Sequence, residues 1–339
     1  MKVTLPPASR VLITGAGGFV GHWLRRALIP ALDTDASILS VGTRSNEIKT
    51  CSALESTITL DIRNEHAVDA LIATFNPTAI VHLAAISDVQ EAQRSPRTTW
   101  DVNFCGTMNL AYSVLRHSAN ARFIFVSSSE VYGDAFKRWS RPVNENARLE
   151  PTNAYATSKA AADLLMGQLA HEGLKVIRFR PFNHTGPRQT DRFVIPAFAT
   201  QIARIKSGLQ EPILRVGNLD ARRDFLDVRD VVEAYVLALT LPDEGWEAGA
   251  ILNLASGIPR RIGDILNELI ALAGVSTRIE QDPARMRVTD TLVAVGDAAS
   301  ARRTLGWVPH VPWEITLRDL VASVTPSAAS GAVDTNDSV

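Results

Sequence analysis

Cysteine is almost missing from this chain of 339 residues, and the two present, Cys51 and Cys105, lie far apart. That argues against a disulfide framework and, without a signal-peptide pattern, fits a reducing, cytoplasmic setting with both thiols as packing residues. Charge of one sign is missing too. With 35 Lys and Arg against 36 Asp and Glu, the formal net charge is −1, so no general field draws nucleic acid or an anionic membrane. Any anionic ligand must be held by local arginines. Long apolar runs are absent: the longest have strand length, so no segment is expected to span a membrane and the protein should be soluble. There is no Gly-x-x-x-x-Gly-Lys loop, no internal repeat, and no His/Cys/Asp cluster at metal-ligand spacing, so no metal is called for. Residues 326–339 are small, polar and free of aromatics, and are expected to form a disordered tail.

What is present begins with VLITGAGGFVG at 11–21. The apolar run Val11-Leu12-Ile13 leads into Gly15, Gly18 and Gly21, and helical apolar spacing follows through Phe19, Val20, Trp23, Leu24 and Leu28. This is the strand-to-helix context that a dinucleotide fingerprint requires. Gly15 would make the tight turn, Gly18 would let the backbone approach a pyrophosphate, and Gly21 would allow close helix–strand packing, with the phosphates at the helix N-terminus. The bland reading, a turn that merely collects glycine, does not explain both flanks.

A second constellation lies in NAYATSKAAADLL at 153–165. Tyr155 and Lys159 are four residues apart in a predicted helix, so both project from one face. A free phenol titrates near 10 and is a poor proton donor or acceptor at neutral pH. A cationic neighbour is expected to bring it toward the working range. Upstream, FIFVSSSEVYG places hydroxyls at Ser128 and Ser129.

Apolar runs at 10–14, 37–42, 79–84, 122–127 and 174–179 alternate with helical patterns around 18–29, 64–74, 98–118 and 153–171. This rhythm predicts an α/β fold, a doubly wound parallel sheet covered on both faces. After Pro181 the pattern turns irregular and rich in Gly, Pro and Arg, with helix-like stretches at 192–206, 228–240, 261–273 and 297–304. A smaller C-terminal substrate lobe over the C-terminal strand ends is expected. The expected division is 1–181 plus 228–254 for the dinucleotide-binding domain, and 182–227 plus 255–325 for the lobe.

Taken together, GAGGFVG, LDIRN at 60–64, HLAAIS at 82–87, NFCGTMNL at 103–110, SSSEVYG at 127–133, YATSK at 155–159 and RRDFLDVRDVV at 222–232 resemble an extended short-chain dehydrogenase/reductase, a family of nucleotide-sugar epimerases, dehydratases and reductases on a Rossmann-type fold. The resemblance implies that Ser128 or Ser129 hydrogen-bonds the substrate oxygen, Tyr155 exchanges the proton, and Lys159 holds the nicotinamide ribose. It further implies cofactor contacts from Phe19, Val20, Leu83, Ala84, Ala85 and Pro181, with Asp61 and Ile62 bracketing the adenine. For Asp61 a helix-cap role stays open. At the end of the second strand, SVGTRSN offers Arg44 and no carboxylate, which favours NADP(H) while leaving NAD(H) possible.

RPFNHTGPRQ at 180–189 and VGNLDARRDFLDVRDVV at 216–232 resemble the GDP-4-keto-6-deoxymannose reductases, which make GDP-D-rhamnose, and their relatives the GDP-mannose 4,6-dehydratases. By this resemblance Asn183, Arg188, Arg223 and Arg287 would bind a GDP-linked sugar, Asp227 and Asp230 would cap or brace a helix, and Gly306-Trp307 would be a packed helix stop. The implied reaction is reduction of a 4-keto-6-deoxy sugar, hydride going to carbon 4 and a proton from Tyr155. Glu130 keeps a second reading open, since related dehydratases carry a glutamate there for water elimination; a 4-epimerase and a non-catalytic cofactor sensor are further alternatives. For His82, packing below the cofactor is expected, and for His184 a hydrogen bond to loop backbone. The family also suggests a homodimer through a four-helix bundle of the helices near 98–118 and 153–171.

Overall fold

The computed structural model describes residues 4–43, 48–138, 141–285 and 291–324. From the N-terminus the elements are β1 (Arg10–Thr14), α1 (Phe19–Leu28), β2 (Ser37–Gly42), β3 (Glu55–Thr59), α2 (Glu65–Phe75), β4 (Ala79–His82), α3 (Val89–Arg94), α4 (Pro96–Trp100) and α5 (Thr107–His117). They continue with β5 (Arg122–Val126), α6 (Ala135–Arg138), α7 (Ala154–His171), β6 (Val176–Pro181), β7 (Asn183–Thr185), α8 (Val194–Lys206), β8 (Ile213–Val216), β9 (Arg222–Asp227) and α9 (Val228–Leu239). The last are β10 (Ile251–Leu254), β11 (Pro259–Arg261), α10 (Ile262–Ala273), β12 (Arg278–Gln281), β13 (Val293–Ala294), α11 (Ala299–Leu305) and α12 (Trp313–Ser323).

Two compact units result. The first comprises Met1–His184, Arg222–Pro259 and Thr291–Val311. Its sheet has seven parallel strands in the order β10-β6-β5-β4-β1-β2-β3. The period of two along a strand divides the apolar run of β1 between two cores. Val11 and Ile13 pack with Leu24 and Leu28 of α1 and Tyr235 of α9. Leu12 points the other way, among Val68 and Ile72 of α2, Leu110 and Val114 of α5, and Met166 of α7. Both faces are covered, which is why these strands read as nearly continuous apolar runs. Each fully buried Leu or Ile contributes about 2 kcal/mol. The chain runs from β1 outward to β3, then returns to place β4 on the other side of β1, so the strand order reverses beside the Gly15 turn, where open α/β sheets bind ligands.

The second unit comprises Thr185–Ala221, Arg260–Asp290 and Pro312–Val339. In it β8 and β12 pair in parallel, Ile213 opposite Arg278, and α8 packs against α10 and α12.

The units differ from the expected division. Residues 222–227 and 291–311 belong to the first unit, because β9 pairs with β13 and the buried Asp224 carboxylate accepts from the Ser256, Gly257 and Gly296 N–H groups. Trp307 adds to this, its Nε1 donating to the Asp230 carbonyl at 2.8 Å. Two strands of the main sheet escape the sequence reading: β3 and β10 are its edges, and β3 has a mixed burial pattern that dilutes the apolar signal. The single helix expected over 98–118 is α4, a π-helical stretch at Asp101–Gly106, and α5.

Candidate functional site

Gly15 has φ +69°, and a Cβ there would lie 2.7 Å from the Ala84 N and 2.8 Å from the Leu83 carbonyl carbon. The turn therefore lies directly against the Leu83-Ala84 backbone, which is itself tied to β1 by the Leu83 N–H to the Thr14 carbonyl and the Ala84 N–H to Thr14 Oγ1. Ala85 follows, half-buried. At Gly21 a Cβ would meet the Ala16 and Gly15 carbonyl oxygens at 2.7 Å, so α1 starts tightly against the preceding turn. Gly18 is the N-cap of α1 and has no side chain to occupy the end of the helix, whose first turn has no acidic residue. Such an N-terminus favours an anion. A cradle where a Cβ at Gly15 or Gly21 would collide with backbone, ending at an uncapped helix, fits a dinucleotide diphosphate. Phe19 and Val20 are half-buried in the first turn of α1, Phe19 stacking on His184 with ring centroids 6.2 Å apart. Pro181 is buried at the end of β6.

Asp61 is not the cap of α2; Asn64 is, its side chain accepting from the Ala67 N–H. The Asp61 carboxylate instead accepts from the Arg63 N–H at 2.9 Å and pairs with the Arg63 guanidinium, which holds its carboxyl below the usual range. Ile62 is 5% exposed, its side chain in the core facing Gly106. Arg44 and Arg287 lie outside the described residues, as does the tail at 326–339.

Ser128 follows β5 and caps a short 3-10 turn, Ser129–Tyr132, its Oγ accepting from the Glu130 N–H at 3.1 Å. Tyr155 enters from the first turn of α7, a helix started by Asn153, whose side chain accepts from the Ala156 N–H. The phenol of Tyr155 is pushed up to about 12, chiefly by burial; its hydrogen bond with Ser128 pulls the other way, and the charge of Glu130 raises it further. The structure thus brings Ser128, Glu130 and Tyr155 together. It also corrects one expectation: burial, not the neighbouring ammonium, dominates the titration of this phenol. Lys159, one turn on, lies with its Nζ 4.9 Å from the centre of the Phe125 ring. Burial brings its ammonium down to about 8, and the Asp163 carboxylate opposes this.

His82 is fully enclosed, Nδ1 at 2.6 Å from Thr14 Oγ1 and Nε2 at 2.9 Å from Thr107 Oγ1. Burial and the charge of Lys159 depress it to about 3, so it is a neutral bridge between β1, β4 and α5. His184 uses Nδ1 for the Phe182 carbonyl at 2.9 Å. Asn103, which the sequence reading passed over, accepts from the Ile86 N–H and donates to Ser158 Oγ beside Lys159. Its π-helical setting is one often found at functional sites.

Asn183 is exposed on β7. Arg223 Nη1 donates to the Thr291 carbonyl at 2.6 Å, so part of its guanidinium serves the β9–β13 pairing. Asp227 caps α9 and pairs with Arg229, while the Asp230 carboxylate accepts from the His310 and Val311 N–H groups. Within the same unit, Asp230, Glu233 and His310 bring donor atoms to within 4.8 Å of one another. Sequence spacing could not reveal this, because the loop carrying His310 returns from far along the chain.

In the second unit, Arg188 is exposed and holds a left-handed backbone at φ +76°. That unit also has a cavity of about 410 Å³, lined by Arg192, Arg204, Arg215 and Arg285 together with Asp191, Thr200 and Gln201. The Arg204 Nε there is buried without a hydrogen-bond partner. Four guanidinium groups around one cavity suit an anionic or base-bearing ligand.

Over residues 12–320 the chain matches the family described as GDP-mannose 4,6 dehydratase. It is 38% identical over 314 residues to the GDP-6-deoxy-D-mannose reductase of Pseudomonas aeruginosa, covering 92% of this chain and 96% of that one. GDP-mannose 4,6 dehydratase 2 of Caenorhabditis elegans is 30% identical over 280 residues, 78% of this chain and 72% of its own. The solved structure of RMD from Pseudomonas aeruginosa complexed with NADPH superposes with a TM-score of 0.79 at 34% identity, over 93% of this chain and 98% of that one. The glycine turn, the Ser128–Tyr155–Lys159 group and these likenesses lead to one conclusion: the chain belongs to the GDP-mannose 4,6-dehydratase family, within the extended short-chain dehydrogenases/reductases.

Proposed function

We propose that this protein is an NADPH-dependent reductase of a GDP-linked 4-keto-6-deoxy sugar, converting GDP-4-dehydro-6-deoxy-D-mannose to GDP-D-rhamnose. The observation that carries this reading is the buried Tyr155 phenol, kept protonated to about pH 12 beside Ser128. A reduction needs a proton donor at the carbonyl oxygen, and a phenol held in its acid form is one. Ser128 has a hydroxyl hydrogen to donate to the same oxygen as charge develops, an oxyanion-type contribution. Gly15, Gly18 and Gly21 would hold the cofactor diphosphate, and Lys159 its nicotinamide ribose. When bound, the reduced nicotinamide supplies the hydride. Among the relatives, the Pseudomonas RMD structure holds NADPH. Arg44, with no carboxylate in its segment, supports the same choice, and NAD(H) remains the second cofactor. For the sugar nucleotide we assign Ser129, Asn183, Arg188 and Arg223, and, from its sequence context alone, Arg287. A homodimer through a four-helix bundle of the helices near 98–118 and 153–171, and a cytoplasmic location, belong to the same proposal; among the described residues, no helix is long and apolar enough to cross a membrane.

Glu130 favours a second reading, a 4,6-dehydratase, because its carboxylate acts on Tyr155. The loop sequence NHTGPRQ at 183–189 and the serine at 128 speak for the reductase. GDP-mannose with catalytic NADP+ separates the two. A reductase gives no 4-keto-6-deoxy product from that mixture, whereas its accumulation would establish the dehydratase.

A further inference from the structure

Tyr155, Lys159 and Asp163 follow one another at four-residue steps on α7, so their side chains share one helix face. Asp163 is wholly buried. An isolated carboxylate there would be prohibitively costly, and this one is met from β6 by two guanidiniums. Its Oδ1 accepts from Arg178 Nη1 at 3.0 Å and Arg180 Nη2 at 3.1 Å, and its Oδ2 from Arg180 Nε at 2.9 Å. Arg180 is fixed in turn, its Nη1 donating to the Tyr132 hydroxyl at 3.2 Å, which donates to Asn253 Oδ1 at 2.7 Å. The carboxylate is therefore clamped and stays ionised, one turn from Lys159.

We propose that Asp163 is a positioning residue that keeps Lys159 in its ammonium form. Glu130 carries the other carboxylate of the site, and its charge acts on Tyr155 while that of Asp163 acts on Lys159. His82 of β4 is neutral, Phe125 of β5 offers only its ring face, and Tyr155 is a neutral phenol on the same helix. Burial alone drives the lysine toward the neutral amine, and the charge opposing this is that of Asp163. Arg178 and Arg180 hold the carboxylate and at the same time offset part of its field. The inference rests on the proposed role of Lys159 only for its kinetic consequence.

The charge of Lys159 can be read directly, without turnover, by NMR titration of the full-length protein with its lysines labelled at Cε and the Lys159 signal assigned through Lys159→Met. Asp163→Asn should move the Lys159 midpoint down by about one pH unit, while Asp163→Glu should leave it close to that of the parent. Arg178→Met removes an offsetting charge and should move the midpoint up. A residue that only braces the fold would lower the melting temperature in all three variants and leave the midpoint in place; that result overturns the proposal. Should Asp163→Asn fail to fold, Arg178→Met decides, since an unchanged midpoint there refutes the assignment equally. If the midpoint moves but the alkaline limb of kcat does not follow, the charge assignment stands and Lys159 is removed from the reaction.

Discussion

Tyr155 and Lys159 respond to the same burial in opposite ways, and this sets the pH behaviour of the site. The phenol, pushed up to about 12, keeps its proton throughout the physiological range. The ammonium, brought down to about 8 from an ordinary 10.5, is charged below pH 8 and is lost as the pH rises through that value. The rate of ketone reduction should therefore be flat from pH 6 to 7 and decline above 8, as a pH profile of kcat under saturating cofactor will show. Tyr155→Phe should lower kcat by about 10²–10⁴-fold, with NADPH affinity by fluorescence titration nearly unchanged, because the ring and its packing are kept. Sequence spacing alone places these two residues on one helix face. It does not give the sign of the phenol's shift, which comes from the residues that bury Tyr155, and these are scattered along the chain.

At the level of elements, local chemistry explains much of what the sequence reveals. The turn at Gly15 is legible because only glycine tolerates both its φ and the 2.7 Å approach to Ala84. The central strands are legible because both faces are buried, whereas β3, at one edge, is only partly buried, and β10, at the other, is a run of four residues interrupted by Asn253. Asn103 and Asp163 are harder to read. Each is a polar residue inside a helical pattern, and its meaning depends on partners on other elements, Ile86 and Ser158 for one and Arg178 and Arg180 for the other. Helix α2 shows how a cap works here without touching the site. Replacing Asn64 with Ala should cost about 1 kcal/mol, lowering the urea midpoint with the m-value unchanged and leaving KM for NADPH as it was. A change in KM would mean that the segment before α2 shapes the adenosine end of the cofactor site.

For the molecule as a whole, the seven-stranded sheet gives the Gly15 turn, Ser128 and α7 one common scaffold within the first unit. The fold class follows from the alternation of strand and helix patterns. The division into units does not, since residues 291–311 return to the first unit through Gly296 and Trp307, contacts with no sequence signature. Family membership narrows the chemistry to nucleotide sugars, and the choice between reductase and dehydratase turns on whether hydride leaves the cofactor for good. The most direct measurement is the loss of NADPH absorbance when catalytic enzyme meets GDP-4-dehydro-6-deoxy-D-mannose, with the sugar product identified. Oxidation of one NADPH per sugar, with GDP-D-rhamnose as product, is the predicted result. No net oxidation under conditions where NADPH binds would contradict the account.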